Sequence, residues 1–184
     1  MLSRRRAIIL DASAFIAGYD PFSVMDEQYS IPNVRKELSD KSLSRIRFDE
    51  AHACKRLRLV EPDQRFVEEA RRFSTEVGDI SFLSDVDLKI LALAIQLKRE
   101  GLSPSIITDD YSIQNVARKI GVNFKPLATS GIKFQLKWIL YCPACHKRYP
   151  SNYDSNICEI CGTKLKRKSI TKTPIEKGKR QTSL

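Results

Sequence analysis

The sequence predicts an α/β domain with a mostly parallel sheet, followed by a small cysteine-rich module. Strand-like apolar runs alternate with helix-like segments over the first 125 residues, and this alternation is typical of a parallel sheet covered by helices. Two of the runs, at 7–10 and 105–108, end next to aspartates. Four of the five cysteines lie within residues 142–161, and this clustering favours a metal site over a disulfide framework.

Each element follows from a local pattern. Predicted strands are short runs of apolar and β-branched residues, at 7–10, 28–31, 58–60, 105–108 and 123–125. Predicted helices have apolar residues three and four positions apart, at 12–19, 33–38, 40–56, 63–77, 84–100 and 111–120. The helix that begins at Ser84 has the clearest limits, because Ser84 is a favourable N-cap residue and Gly101 is a typical stop.

Length and composition limit the possible classes of protein. With 184 residues, 42% of them apolar, the chain is long enough for one core and an appendage. Its longest near-apolar run, Ile90 to Leu97, is far shorter than the roughly 20 residues of a membrane span. The apolar run after Arg6 has only four residues before Asp11, too few for a secretory signal peptide. We therefore expect a cytoplasmic protein with no membrane partner.

The net charge of +10 is concentrated in the last part of the chain. Residues 1–132 contain 20 Lys or Arg and 19 Asp or Glu, whereas residues 133–184 contain 12 and 3, a net charge of +9. Such a polycationic segment favours a polyanionic partner, although a solvated tail is the alternative.

Acidic residues at the ends of predicted elements form the first candidate site. Asp11 and Asp110 follow two strands that we expect to be neighbours, and ligands of parallel sheets bind at the carboxyl ends of the strands. Like charges gathered there require a cation, and hard divalent cations prefer oxygen ligands. Each acid also has a structural explanation: Asp85 and Asp87 suit the first turn of a helix, and Asp109 or Asp110 could cap the next one.

Four short motifs resemble those of PIN-domain nucleases. They are Leu10–Phe15, Val34–Leu38, Leu83–Asp87 with the apolar run that follows it, and Ile107–Asp110. The resemblance implies an α/β/α sandwich whose acidic cluster binds magnesium or manganese and cleaves single-stranded RNA. The matching catalytic acids are Asp11, Glu37, Asp87 and Asp110, with Asp85 and Asp109 as possible additional acids. Ser13 and Thr108 match positions that support the cluster.

The cysteines form two C-x-x-C knuckles. Cys142 with Cys145 and Cys158 with Cys161 are separated by 12 residues, a spacing that suits one tetrahedral zinc ion. A redox dithiol would not need a second knuckle. Four protein ligands close the coordination sphere, so we expect a structural zinc ion.

Basic and aromatic residues around these knuckles are candidate RNA contacts. They are Lys133, Lys137, Trp138, Lys147, Arg148, Lys164, Lys166, Arg167 and Lys168. Trp138 and Tyr141 either pack against the ribbon or stack on RNA bases. The predicted domains are a nuclease domain at 1–127, a linker at 128–137, a zinc ribbon at 138–165 and a basic, disordered tail at 166–184.

A PIN domain followed by a four-cysteine ribbon resembles a narrower group. These archaeal and eukaryotic endonucleases mature the 3′ end of small-subunit ribosomal RNA, and the short length is similar to the archaeal members. The resemblance implies precursor ribosomal RNA and the assembling small subunit as partners, with other assembly factors possible. Two alternatives remain: a toxin-type PIN ribonuclease, which would not be expected to carry a ribbon, and a non-catalytic RNA-binding adaptor, which would lack one or more acids.

Overall fold

A computed structural model describes residues 5–175, which form two β-sheets and six α-helices. The strands are β1 Arg6–Leu10, β2 Glu27–Ser30, β3 Leu57–Leu59, β4 Ser103–Ile107, β5 Asn123–Lys125, β6 Phe134–Tyr141, β7 Arg148–Tyr149 and β8 Lys166–Pro174. The helices are α1 Ala12–Ile16, α2 Val34–Glu37, α3 Leu43–Ala53, α4 Gln64–Val77, α5 Asp85–Arg99 and α6 Tyr111–Lys119. A 3₁₀ turn at Ile80–Phe82 lies between α4 and α5.

The first sheet is parallel, in the order β3-β2-β1-β4-β5. The predicted neighbours, β1 and β4, are paired over their full length, with Leu10 opposite Ile107. The strand order reverses between them, and ligands of open parallel sheets bind at such a switch point. The predicted α/β fold is therefore confirmed, and the two aspartate-terminated strands end side by side.

Helix α5 forms the centre of the core. It packs against α4, α6, β1 and β4, and its consecutive residues Ile90 to Ala94 are all completely buried. A helix that is covered on every side lacks a polar face in its middle turns, which explains the apolar run in the sequence. Helix α5 thereby holds its N-terminal turn, which contains Asp87, against the end of the central sheet.

The second sheet is antiparallel, in the order β7-β6-β8. Strand β6 begins at Phe134, inside the stretch that we predicted as a linker. Residues 166–174, which we assigned to a disordered tail, instead form β8 along the whole of β6. Backbone pairing with β6 and the β-branched residues Ile170, Thr171 and Thr173 favour the strand. Because the strand is largely exposed, its sequence has no apolar periodicity from which it could be predicted. The rest of the predicted tail, from residue 176, lies outside the described residues.

The small module has its own core. Cys142, Tyr149, Cys158 and Leu165 are buried together, with Leu140 and Tyr153 packed against them. Within residues 5–175, no helix combines the length and the apolar character needed to cross a membrane.

Candidate active site and zinc site

Asp11 lies buried at the end of β1, where it caps α1. Only 4% of the residue is exposed. Its Oδ1 accepts a hydrogen bond from the Ala12 N–H at 2.7 Å, and its Oδ2 accepts from Ser13 Oγ at 2.8 Å and Thr108 Oγ1 at 2.9 Å. Because the donors come from both α1 and the end of β4, the carboxyl group has a defined orientation, and Ser13 and Thr108 hold it.

Asp110 caps α6 beside Asp11. Its Oδ1 accepts hydrogen bonds from the backbone N–H groups of Ser112 at 2.6 Å and Ile113 at 3.0 Å, and its own N–H donates to Thr108 Oγ1 at 3.1 Å. The other carboxyl oxygen accepts no hydrogen bond within residues 5–175. Capping therefore occupies one oxygen of Asp110 and leaves the second available to a ligand.

Asp87 and Glu37 complete the cluster from α5 and α2. Asp87 forms a capping box with Ser84, in which Asp87 Oδ2 accepts from the Ser84 N–H at 2.7 Å. Burial raises the pKa of Asp87, and the charges of Asp11 and Asp110 raise it further. Burial also raises the pKa of Glu37, with further contributions from Asp11 and Asp87. The charge of Asp11 thus interacts with those of Glu37, Asp87 and Asp110, which places the four carboxyl groups within electrostatic range at this end of the sheet.

The two additional acids lie outside this cluster. Asp85 is exposed and its carboxylate lies 3.6 Å from Arg71. Asp109 accepts hydrogen bonds from the backbone N–H groups of residues 127–129 and from the Thr129 hydroxyl, at 2.9 to 3.1 Å, and these bonds lower its pKa. Asp109 therefore holds the chain after β5, whereas Asp110 faces the cleft.

The donor set of the cluster suits a hard divalent cation. None of the ion pairs among residues 5–175 includes any of its members, which are Asp11, Glu37, Asp87 and Asp110. Burial is the largest cause that raises the pKa of Asp11, and the hydrogen bonds from Ser13, Thr108 and the Ala12 N–H offset it only in part. The carboxyl oxygens are less tightly grouped than the cysteine sulfurs described below, and magnesium usually keeps several water ligands and binds directly to only one or two carboxylates. The residues therefore fit magnesium or manganese.

The four cysteines form the tightest ligand cluster in the described part of the chain. All four Sγ atoms lie within 4.8 Å of one another, with 3.4 Å between Cys142 and Cys161 and between Cys145 and Cys158. Tetrahedral zinc with bonds of about 2.3 Å separates its sulfur ligands by about 3.8 Å. The predicted ligand set is therefore brought together, at sulfur separations close to those of a tetrahedral zinc site.

The two knuckles share one backbone arrangement. In the first, the Cys142 N–H donates to the Lys147 carbonyl and the His146 N–H donates to the Cys142 carbonyl; in the second, Cys158 is bonded in the same way to Thr163 and Gly162. His146 and Gly162 occupy equivalent left-handed positions, with φ of 62° and 68°. His146 thus completes a turn, and no fifth ligand is needed.

The predicted RNA-binding residues divide into two groups. Lys147 forms an ion pair with Glu159, and Lys168 lies over the Tyr141 ring. Arg167 lies over the Trp138 ring and pairs with Asp79 of the nuclease domain, so its guanidinium group, which we predicted as an RNA contact, is engaged within the protein. The remaining five cations are exposed and have no ion-pair partner within residues 5–175; they are Lys133, Lys137, Arg148, Lys164 and Lys166.

Sequence reasoning missed two buried residues that connect the site with the ribbon. Gln114 donates to the Thr108 carbonyl at 2.9 Å and accepts from the Ile132 N–H at 2.8 Å, so it joins the end of β4 to the chain that enters the ribbon. Asp79 forms an ion pair with Arg167, 88 residues later in the sequence. Neither residue has a motif around it, and only the tertiary contacts identify them.

Comparison with known proteins agrees with this architecture. Residues 8–97 match the family described as the PIN domain of ribonuclease. The chain is 37% identical to endoribonuclease Nob1 of Methanothermobacter thermautotrophicus, over 87% of this chain and 91% of that protein. It is 35% identical to endoribonuclease Nob1 of Methanocaldococcus jannaschii, over 88% and 77% of the two chains. It is also 35% identical to endoribonuclease Nob1 of Pyrococcus abyssi, over 86% of this chain and 91% of that protein.

The three Nob1 alignments cover 86–88% of this chain, so they extend beyond the nuclease domain into the four-cysteine ribbon. Identity above 30% across most of both chains, together with the PIN-domain match, establishes common descent at the level of the whole architecture. The chain belongs to the Nob1 family of PIN-domain endoribonucleases.

Proposed function

We propose that this chain is a metal-dependent endoribonuclease that cleaves single-stranded precursor ribosomal RNA at the 3′ end of the small-subunit (16S) ribosomal RNA. The observation that carries the proposal is the cleft in which Asp11, Glu37, Asp87 and Asp110 gather without a cationic partner, beside a basic ribbon. The ribosomal substrate rests on family membership. Its partners in this proposal are the precursor RNA and the assembling small subunit, together with other assembly factors. Family membership also supports these partners. Assembly of the small subunit would place the protein in the cytoplasm.

The four carboxyl groups hold magnesium or manganese in this proposal. An ion held by these carboxyl groups would lower the pKa of bound water and would stabilise the leaving oxygen of a phosphodiester. Hydrogen bonds from Ser13 and Thr108 keep the Asp11 carboxyl group oriented before the substrate arrives. The caps of α5 and α6 do the same for Asp87 and Asp110. This preorganisation lowers the cost of assembling the site around the phosphate.

The ribbon has a different role. Cys142, Cys145, Cys158 and Cys161 hold one structural zinc ion, because four protein ligands leave no open position for catalysis. The exposed lysines and arginine of β6, β7 and β8 and of the loops between them attract the phosphate backbone. Neutralisation of phosphates by such cations releases counterions and makes RNA affinity dependent on salt.

A cleavage assay with a matched pair of variants tests the nuclease proposal. The substrate is a short single-stranded RNA that spans the small-subunit precursor junction, with a shuffled RNA of the same composition as its control. We expect manganese-dependent or magnesium-dependent cleavage by the wild type and cleavage near background for Asp11→Asn. Asp85→Asn makes the same chemical change on an exposed acid outside the cleft, so it should cleave like the wild type.

The outcomes separate the alternatives. If Asp11→Asn cleaves at a near wild-type rate with manganese, the acidic cluster is not the active site. Equal cleavage of the precursor and shuffled RNAs would indicate a toxin-type ribonuclease without this substrate preference. Binding of the precursor RNA without any metal-dependent cleavage would indicate a non-catalytic adaptor.

A further inference from the structure

The ribbon is attached to the nuclease domain at one region, which we call the docking surface. It consists of residues 75–82 and Asn115. The Asn115 side chain bonds the backbone of Leu136 as a neighbouring strand would: its Oδ1 accepts from the Leu136 N–H and its Nδ2 donates to the Leu136 carbonyl, both at 2.9 Å. Ser151, in the loop after β7, donates its hydroxyl to the Thr75 carbonyl at 3.1 Å.

Arg167 on β8 forms the charged centre of this attachment. Its guanidinium group pairs with Asp79, which is only 2% exposed, and donates a second bond to the Gly78 carbonyl at 3.2 Å. The same group lies 4.0 Å from the centre of the Phe82 ring and 4.1 Å from the centre of the Trp138 ring. Contacts this extensive leave Arg167 little freedom to bind RNA. Removal of one partner from a buried ion pair strongly destabilises a protein, because the other charge is left without compensation.

The docking surface is close in sequence to two acids of the cleft, Asp87 and Asp110. Residues 79–82 lead through Leu83 to Ser84, whose capping box contains Asp87. Asn115 belongs to α6, which begins at the Asp110 cap. Burial raises the pKa of Asp79, bonds from Asn115 and Arg167 lower it, and the charge of Asp110 raises it further. Asp79 is therefore close enough to Asp110 for their charges to interact.

We propose that Arg167 is a positioning residue for the nuclease site: through Asp79 and the docking surface it fixes the N-termini of α5 and α6, and hence Asp87 and Asp110. This inference rests on the proposed function, since it concerns the same acids. A displacement of about 1 Å in a catalytic site can reduce a rate about a hundredfold. The ribbon thus has a second role besides RNA binding, because its docking completes the metal-binding cleft.

The test compares Arg167→Ala, Asp79→Asn and the double variant in the full-length protein. Lys172→Ala is the matched control, since Lys172 is another β8 cation over an aromatic ring, Phe134 at 4.0 Å. Within residues 5–175, its side chain forms no ion pair or hydrogen bond with the docking surface. Three quantities are measured: the single-turnover cleavage rate at saturating precursor RNA, RNA affinity by anisotropy, and Mn²⁺ affinity without RNA by calorimetry. Zinc content by elemental analysis shows whether the ribbon is intact.

For Arg167→Ala we expect a cleavage rate about tenfold to a hundredfold lower at saturating RNA, weaker Mn²⁺ binding and one zinc ion per chain. The double variant should be no worse than the more impaired single variant, because the two residues act as one pair. Lys172→Ala should keep the wild-type rate. If Arg167→Ala loses zinc, Asp79→Asn, which leaves β8 intact, carries the test.

Two results would overturn the positioning role. One is a loss of RNA affinity with an unchanged saturated rate, which would make Arg167 an RNA contact. The other is additive effects of the two substitutions. If the wild type does not cleave the RNA, the proposed function fails, and Mn²⁺ affinity alone decides: weaker binding by Arg167→Ala supports positioning, and equal binding rejects it.

Discussion

Gly78 allows the ribbon to approach the nuclease domain, and its replacement by alanine should separate the two. Gly78 caps α4 in a left-handed conformation, with φ of +82°. A Cβ atom there would lie 2.3 Å from the Trp138 carbonyl oxygen and 2.8 Å from the Trp138 carbonyl carbon and Cβ. Ordinary contacts begin at 3.4 Å, so β6 would have to move by about 1 Å at this point.

Gly101 is the matched control for this substitution. It follows α5 with φ of +88°, but a Cβ atom there would meet nothing within 4 Å. Gly101→Ala should therefore cost only the left-handed strain, about 1–2 kcal/mol. Gly78→Ala adds the loss of bonds at the docking surface. With two or three such bonds at a net value of about 1 kcal/mol each, we expect an additional cost of about 2–3 kcal/mol.

Urea unfolding and tryptophan fluorescence together measure these effects. Trp138 is the only tryptophan, and its ring packs on Arg167 at the docking surface, so its emission reports ribbon docking. We expect a red shift and a lower unfolding midpoint for Gly78→Ala, and a smaller midpoint change with unaltered emission for Gly101→Ala. Equal midpoints with wild-type emission in both variants would refute the close-contact argument.

Four further predictions concern the acids, the zinc ligands and the basic surface. Burial raises the pKa of Asp11, so the folded wild type binds this proton more tightly than the unfolded chain does. Asp11→Asn should therefore match the metal-free wild type in stability at pH 4 and exceed it increasingly as the pH rises through the folded pKa, in urea titrations from pH 4 to 8. Asp110→Asn should abolish cleavage, whereas Asp109→Asn should lower the thermal midpoint but retain cleavage; the reverse pattern would exchange their roles. Replacing Cys142 by serine should reduce zinc below one ion per chain in elemental analysis and unfold the ribbon, since metal binding and folding are coupled there. Lys166→Ala should reduce the slope of log RNA affinity against log salt by about 0.7 if this lysine contacts a phosphate, and an unchanged slope would exclude the contact.

Much of the nuclease fold was predictable because its elements are encoded locally. Apolar periodicity and capping residues identified the five parallel strands and the helices within a few residues, as the Ser84 cap of α5 illustrates. Strand β8, which is the longest strand within residues 5–175, was not predictable in this way. All of its residues from Lys166 to Pro174 are exposed except the half-buried Arg167, so the strand has no alternation of apolar and polar residues that would identify it in the sequence.

The sequence alone was sufficient to group the four cysteines, since the spacing within each knuckle is local. The aspartates that follow two apolar runs also led us to expect neighbouring strands, and β1 and β4 are paired. The tertiary structure decided the rest. It separated Asp110, which caps α6, from Asp109, which holds residues 127–129, although the two are adjacent in sequence after Thr108. It also placed Arg167 on Asp79. A side chain's partner depends on which distant segments converge around it, and that convergence is a property of the packed chain.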